Sequence, residues 1–259
     1  MSDPILIRHD DGPIATLTLN TPQSLNALST SMLTALETEL TSIAASSIRV
    51  VILRAAGKNF CAGHDLKEIQ SHRSDPDQGR AAYERLFTLC ASVMQQIATL
   101  PQPVIARVQG VATAAGCQLA ASCDMVVAAE TARFGVNGVN IGLFCHTPLV
   151  ALARKIPPPQ AFALAATGEF IAATRAESLG LVTRIAAPDD LDATACALAD
   201  TLAHKLPLAL AMGKRAAAQP LAAAYLTATK FMVENLMAPE TDEGLTAFLA
   251  KRPPNWLTP

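Results

Sequence analysis

Short β-branched runs alternate with helical stretches from residue 4 to residue 185, and beyond Pro188 the strand pattern stops. This order is the tightest constraint on the fold. Strands separated by helices build an α/β sheet layered with helices, and a strand-free tail must pack onto it as a helical appendix. The chain therefore divides into an α/β core over 1–188 and a helical region over 189–259, the latter expected to serve oligomerisation and site closure. Residues 4–19 read as a hairpin that turns at Asp10-Asp11-Gly12, with Ala15, Leu17 and Leu19 alternating against Thr16 and Thr18. A helix is predicted over 29–45, a buried strand over 49–54, a helix over 80–99 and a strand over 104–108. Further helices are predicted over 112–122 and 148–155, and strands over 125–129 and 181–185. Residues 71–79 are polar and read as a surface excursion. Thr174-x-x-Glu177 has the form of a capping box, with Gly180 suited to end that helix.

Composition narrows the function classes. Of the 259 residues, 16% are charged and 51% hydrophobic, against about 25% charged in an average soluble domain. So apolar a chain folds around a packed core, and part of its surface is expected in subunit interfaces. The formal net charge of -2 and the lack of a basic face exclude nucleic acid as a partner. The charge-free run 134–153 matches the roughly 20 residues needed to cross a bilayer, but Asn137, Asn140, His146 and Pro148 make it a poor lipid-facing helix. No membrane association is expected. The six cysteines form no C-x-x-C pair and show no zinc-ligand spacing, so they are read as reduced and buried, and no metal is expected. Met1–Arg8 lacks the basic and apolar regions of a targeting segment, and a cytoplasmic location is expected.

No dinucleotide, P-loop, nucleophile-elbow or zinc-protease motif is present. What remains is a pair of loops, each opening a helix: Lys58-Asn59-Phe60-Cys61-Ala62-Gly63-His64-Asp65-Leu66 and Gly110-Val111-Ala112-Thr113-Ala114-Ala115-Gly116-Cys117-Gln118. Backbone N–H groups at a helix start have no intrahelical partner and favour negative charge. Two such loops meeting in space would form an oxyanion hole; alternatively, their small residues serve only tight packing.

The first loop and its preceding strand resemble the CoA-binding loop of the crotonase (enoyl-CoA hydratase/isomerase) superfamily. The likeness continues in order through Asn26-Ala27-Leu28, Pro103-Val104-Ile105-Ala106, Ala115-Gly116-Cys117-Gln118-Leu119-Ala120, Cys123-Asp124, Phe134-Gly135 and Ala176-Glu177-x-x-Gly180-Leu181-Val182. It implies a spiral of ββα units with a helical C-terminal region, assembled as a homo-trimer or a dimer of trimers. It implies an acyl-CoA thioester as substrate, with no cofactor besides the coenzyme A that the substrate carries. The oxyanion donors implied are the backbone N–H groups of His64 and Ala115. Ala62 would lie at the adenine, and Lys58 and Lys67 near the phosphates; each lysine is otherwise an ordinary solvated charge.

The departures from that family bear on the chemistry. Its hydratases place two glutamates around a water, at positions held here by Gln118 and Gly138. An amide takes no proton and glycine has no side chain. Since a general acid or base contributes about 10²–10⁴ in rate, ordinary hydratase activity should be weak or absent. His146 falls where dienoyl-CoA isomerases of the family have an aspartate. Cys145 falls where naphthoate synthases have one, and those also carry glycine at the position of Gly138. Either could supply a base, as could the His64 ring. Equally, Cys145 could pack as a small apolar residue, His146 could cap the following helix, and Asp65 is read as a local cap. Three functions stay open: an enolate-forming hydratase or isomerase with a non-standard base, another thioester reaction (lyase or hydrolase) using His146 or Cys145, and an acyl-CoA-binding protein without catalysis.

Overall fold

The computed structural model of the chain describes residues 3–217 and 221–255. Its larger sheet begins with the expected hairpin. Strands β1 (Leu6–Asp11) and β2 (Ile14–Leu19) pair antiparallel from Leu6↔Leu19 to Asp11↔Ile14. Ala15, Leu17 and Leu19 are buried, as the alternation predicts. β3 (Val50–Ala55), β4 (Val104–Val108), β6 (Met125–Ala129) and β9 (Arg184–Ala186) add in parallel, in the order β1-β2-β3-β4-β6-β9. A smaller sheet holds β5 (Val111–Thr113), β7 (Arg133–Gly135) and β8 (Phe170–Ala172). β4 and β6 lie in the large sheet, and each is followed by a short strand in the small one. The chain thereby winds as the spiral of ββα units expected from the resemblance.

Two isolated bridges hold the first loop: Leu28↔His64 pairs it with the segment before α1, and Cys61↔Ala112 brings it against the second loop. The three small-sheet strands have three residues each, too short for a period-two pattern to be visible. The helix predicted over 112–122 accordingly starts only at Ala115, because 111–113 is strand. The last strand also begins later than expected, at Arg184 rather than 181.

The helices are α1 (Thr30–Ala44), α2 (Leu66–Ser71), α3 (Arg80–Thr99), α4 (Ala115–Ser122), α5 (His146–Leu152), α6 (Pro158–Thr167), α7 (Ala173–Leu179), α8 (Leu191–Ala203), α9 (Pro207–Ala217), α10 (Leu221–Leu236) and α11 (Pro239–Leu249). Ser29 caps α1 through the Met32 N–H, and the helix buries Met32, Leu33, Leu36, Leu40 and Ile43. Asp65 caps α2 by accepting from Lys67 and Glu68. Pro158 sits in the first turn of α6, where its missing N–H costs nothing.

The Thr174/Glu177 capping box does not form. α7 continues directly from β8 with Ala172 as its N-cap, so Thr174 already lies inside the helix; Gly180, at φ +94°, does end it. His146 is not a cap either. It is the first residue of α5, after Cys145. Beyond residue 188, α8 covers β3, β4 and β6, α9 and α10 pack on α3, and α10 also packs on α5. Lys214 ties α9 down: its Nζ meets Asp124 Oδ2 at 2.7 Å and donates to the carbonyls of Ile97 and Gln102 at 3.0 and 2.8 Å. Among the described residues, no helix is long and apolar enough to cross a membrane.

Candidate active site

The two glycine-containing loops touch. A methyl group added to Gly63 would lie 2.9 Å from Ala114 Cβ and 3.2 Å from the Ala115 nitrogen, and one added to Gly116 would lie 2.2 Å from Cys61 O. Only hydrogen atoms fit at these points, which is why glycine stands there. Backbone bonds fasten the loops together: Cys61 N–H donates to Val111 O at 3.1 Å and Thr113 N–H to Cys61 O at 3.0 Å.

At the centre of this contact Ala114 has φ 49° and ψ -123°, a conformation that alanine adopts at a cost of about 1–3 kcal/mol. Its N–H donates to Gly135 O at 3.0 Å, which holds the strained turn. The strain aims the start of α4 at the first loop. Among the described residues, neither the His64 nor the Ala115 backbone N–H has a partner within the chain. Ala115 opens α4, so the helix leaves its N–H free and adds its dipole.

The His64 ring points elsewhere. Its Nδ1 lies 3.1 Å from Leu28 O, so that nitrogen carries the proton. Nε2 is buried without a partner, and the ring stands edge-on to Phe87 at 5.2 Å. Desolvation lowers the pKa of the imidazole below its ordinary value, opposed by the Leu28 hydrogen bond. The ring is neutral and fixed, and the residue reaches the loop junction through its backbone.

Gln118, three residues after Ala115 on α4, is completely buried. Its Nε2 donates to Tyr225 Oη at 3.3 Å, and its Oε1 is buried with no partner. Gly138 lies in a short 3-10 turn, Asn137–Ile141, tied to the second loop by Thr113 Oγ1 and Asn137 Oδ1 at 2.6 Å. Its φ is not positive. Space, not backbone angle, excludes a side chain there: a Cβ would meet Leu143 O at 2.3 Å and Cys145 Sγ at 2.9 Å.

Cys145 and His146 separate clearly. The Cys145 thiol is buried and its pKa is pushed up to about 11, so it remains protonated and packs as a small apolar group. His146 is half-buried, with Nδ1 lacking a partner. Its ring lies 5.0 Å from that of Phe144 and 6.0 Å from that of Phe231. Burial lowers its pKa, which leaves a neutral imidazole at pH 7. Ala62 is partly exposed, its N–H bonded to Leu25 O. Lys58 and Lys67 are exposed, with no ion pair among the described residues. Among those residues no group of His, Cys, Asp and Glu is placed to hold a metal.

Tyr225 and Phe231 were not legible as site residues. Both stand on α10, far along the chain. Their only trace in the sequence is aromatic side chains in a helix otherwise rich in Ala, Leu and Thr.

Comparison with known proteins places the chain in a family. The enoyl-CoA hydratase/isomerase family profile matches residues 10–259. Enoyl-CoA hydratase domain-containing protein 3, mitochondrial, of Rattus norvegicus is 40% identical over 254 residues, spanning 96% of this chain and 83% of the relative. The crystal structure of enoyl-CoA hydratase from Mycobacterium smegmatis has 48% sequence identity and a TM-score of 0.79, covering 99% of this chain and 100% of that one. That of human enoyl-CoA hydratase domain-containing protein 3 has 38% identity and a TM-score of 0.77, covering 98% and 100%. The expected cytoplasmic location is corrected by these names: several relatives near 40% identity are named mitochondrial. The reason is that compartment is set by a removable targeting segment, which the residues of a folded domain do not reveal. With the loop junction, the spiral fold and a match that runs from residue 10 to residue 259, the chain belongs to the enoyl-CoA hydratase/isomerase family.

Proposed function

We propose that the protein binds acyl-CoA thioesters at the junction of the two loops and stabilises the thioester enolate there. The His64 and Ala115 backbone N–H groups would serve as oxyanion donors. Their lack of partners at a strained, tightly packed contact carries this reading. Donors already fixed in place need no reorganisation as charge develops, and losing one typically costs about 10²–10³ in rate. Ala62 would meet the adenine, Lys58 and Lys67 the phosphates, and coenzyme A would enter only as part of the substrate.

The same reading assigns weak or absent crotonyl-CoA hydration. Gln118 and Gly138 occupy the places where the family's hydratases carry their two glutamates, and neither exchanges a proton. If a base acts here, the neutral and accessible imidazole of His146 is favoured over the buried Cys145 thiol, which makes an isomerase- or lyase-type reaction the second reading. Assembly as a trimer or a dimer of trimers would cover Leu206, Leu208, Met212, Leu226 and Phe248, all exposed on α9–α11 or just before α9.

Calorimetry of the folded oligomer with butyryl-CoA and free CoA tests the core of this reading. The thioester should bind more tightly, because free CoA lacks the carbonyl oxygen. Absence of affinity for any acyl-CoA would overturn it.

A further inference from the structure

The corner between α10 and α11 grips two separate segments. Asn235, near the end of α10, accepts from the Phe144 N–H at 2.8 Å and donates to Gly142 O at 3.2 Å. Thr241, fully buried in the first turn of α11, donates to the same carbonyl at 2.9 Å. The next residue along each helix turns to the other segment. Leu236 O accepts a hydrogen bond from the Arg73 guanidinium, and Asp242 Oδ1 lies 3.3 Å from Arg73 Nε. Arg73 also stands over the Tyr83 ring at 5.9 Å, and the Tyr83 hydroxyl donates to Ile69 O on α2 at 3.1 Å. One corner thus clasps Gly142–Phe144 on one side and the end of α2 on the other.

Both clasped segments lead off from the loop junction. α2 follows His64 and Asp65 directly. The turn that precedes Gly142 is held to the second loop through Thr113 and Asn137. The corner bridges the far ends of the two. The six residues of α2 carry the chain about 9 Å at ~1.5 Å each, which sets Arg73 that far or farther from the His64 N–H. A butyryl group is shorter than this distance, and a dodecanoyl group is longer.

We infer that Arg73, Leu236 and Asp242 form a latch across the acyl end of the site, so that Arg73 and Asp242 set the acyl chain length the protein accepts. The inference rests on the acyl-CoA reading above, with coenzyme A on the first loop and the acyl group leaving the hole toward the corner. The partly buried side chains of Leu66, Ile141, Phe144 and Met237 line its path. A short acyl group stops before the latch. A long one must part it, giving up an ion pair whose carboxylate is half-exposed and the hydrogen bond of a charged group to Leu236 O. The pair is worth at most about fivefold in affinity, and the charged hydrogen bond roughly tenfold or more.

Calorimetry with butyryl- and dodecanoyl-CoA tests it on the unmodified oligomer, on Asp242→Ala and on Arg73→Ala. In an open apolar channel each added methylene would tighten binding about fourfold, and the unmodified protein should fall well short of that gain. Asp242→Ala should raise the dodecanoyl-to-butyryl affinity ratio by about two- to fivefold. Arg73→Ala, which also releases Leu236 O, should raise it by roughly tenfold or more. Asp242→Asn keeps the size of the side chain, should shift the ratio in the same direction, and serves if the alanine variants fail to fold. An unchanged ratio in the variants overturns the inference, as does a full fourfold gain per methylene in the unmodified protein. Equal weakening of both ligands would mark a purely structural role and overturns it too. Any of these results with butyryl-CoA still bound sinks this inference alone. No binding of either thioester sinks the acyl-CoA reading as well.

Discussion

Gly63 and Ala115 approach so closely that a methyl on the former would stand 3.2 Å from the nitrogen of the latter. Gly63 is also held at φ +94°, a region that side chains disfavour. Gly63→Ala should therefore lower stability by about 1–3 kcal/mol and, by parting the loops, weaken acyl-CoA binding. Urea unfolding and calorimetry on the same sample would check both. Unchanged affinity would mean that the junction is not the binding site.

Restoring the two glutamates should not restore hydration. The Gln118→Glu, Gly138→Glu double variant forces a side chain against the main-chain oxygen of Leu143, 2.3 Å from its Cβ. The 137–143 turn must then shift, and the new carboxylate shifts with it. We expect a destabilised protein with crotonyl-CoA hydration still near background. Robust turnover by the double variant would show that the turn yields more easily than its packing implies.

Two histidines whose rings are partly withdrawn from solvent set a pH dependence. His64 and His146 both have folded pKa values lowered by burial. Below about pH 6.5, the unperturbed histidine value, the unfolded chain takes up protons that the folded chain refuses. Stability should thus fall as pH drops through 6.5 toward the folded values, and this histidine contribution should be flat above about pH 7.5. Denaturant midpoints between pH 5.5 and 8 would show it. His146→Phe should flatten part of the slope, and an unaltered slope would remove His146 from the account.

Lys214 should matter more than its surroundings suggest. It is the buried cation of Asp124, and two carbonyls also bond its ammonium. Lys214→Ala should cost on the order of 3 kcal/mol, because breaking such a pair leaves its partners unsatisfied. A midpoint shift worth less than about 1 kcal/mol would place the pair with ordinary surface ion pairs.

The sequence by itself determined the α/β order, the hairpin, the stripe of α1, the Asp65 cap and the two small-residue loops that open helices, though not that these loops meet. Each is written in local periodicity or in residue types that sit side by side. The sequence's resemblance to the family also raised the expectation that Gln118 and Gly138 stand where hydratases carry carboxylates. Tertiary structure alone decided what those positions can do. The strands β5, β7 and β8 are stabilised by partners distant in the chain and carry no local pattern. The Thr174/Glu177 signature was overridden because β8 delivers the chain straight into α7. Leu143 O closes the space over Gly138, and no angle or spacing in the sequence records that. Tyr225 reaches Gln118 from more than a hundred positions away. Local letters encode propensity over a few residues, whereas the partner of a buried amide and the room above a glycine arise only once distant segments are packed together.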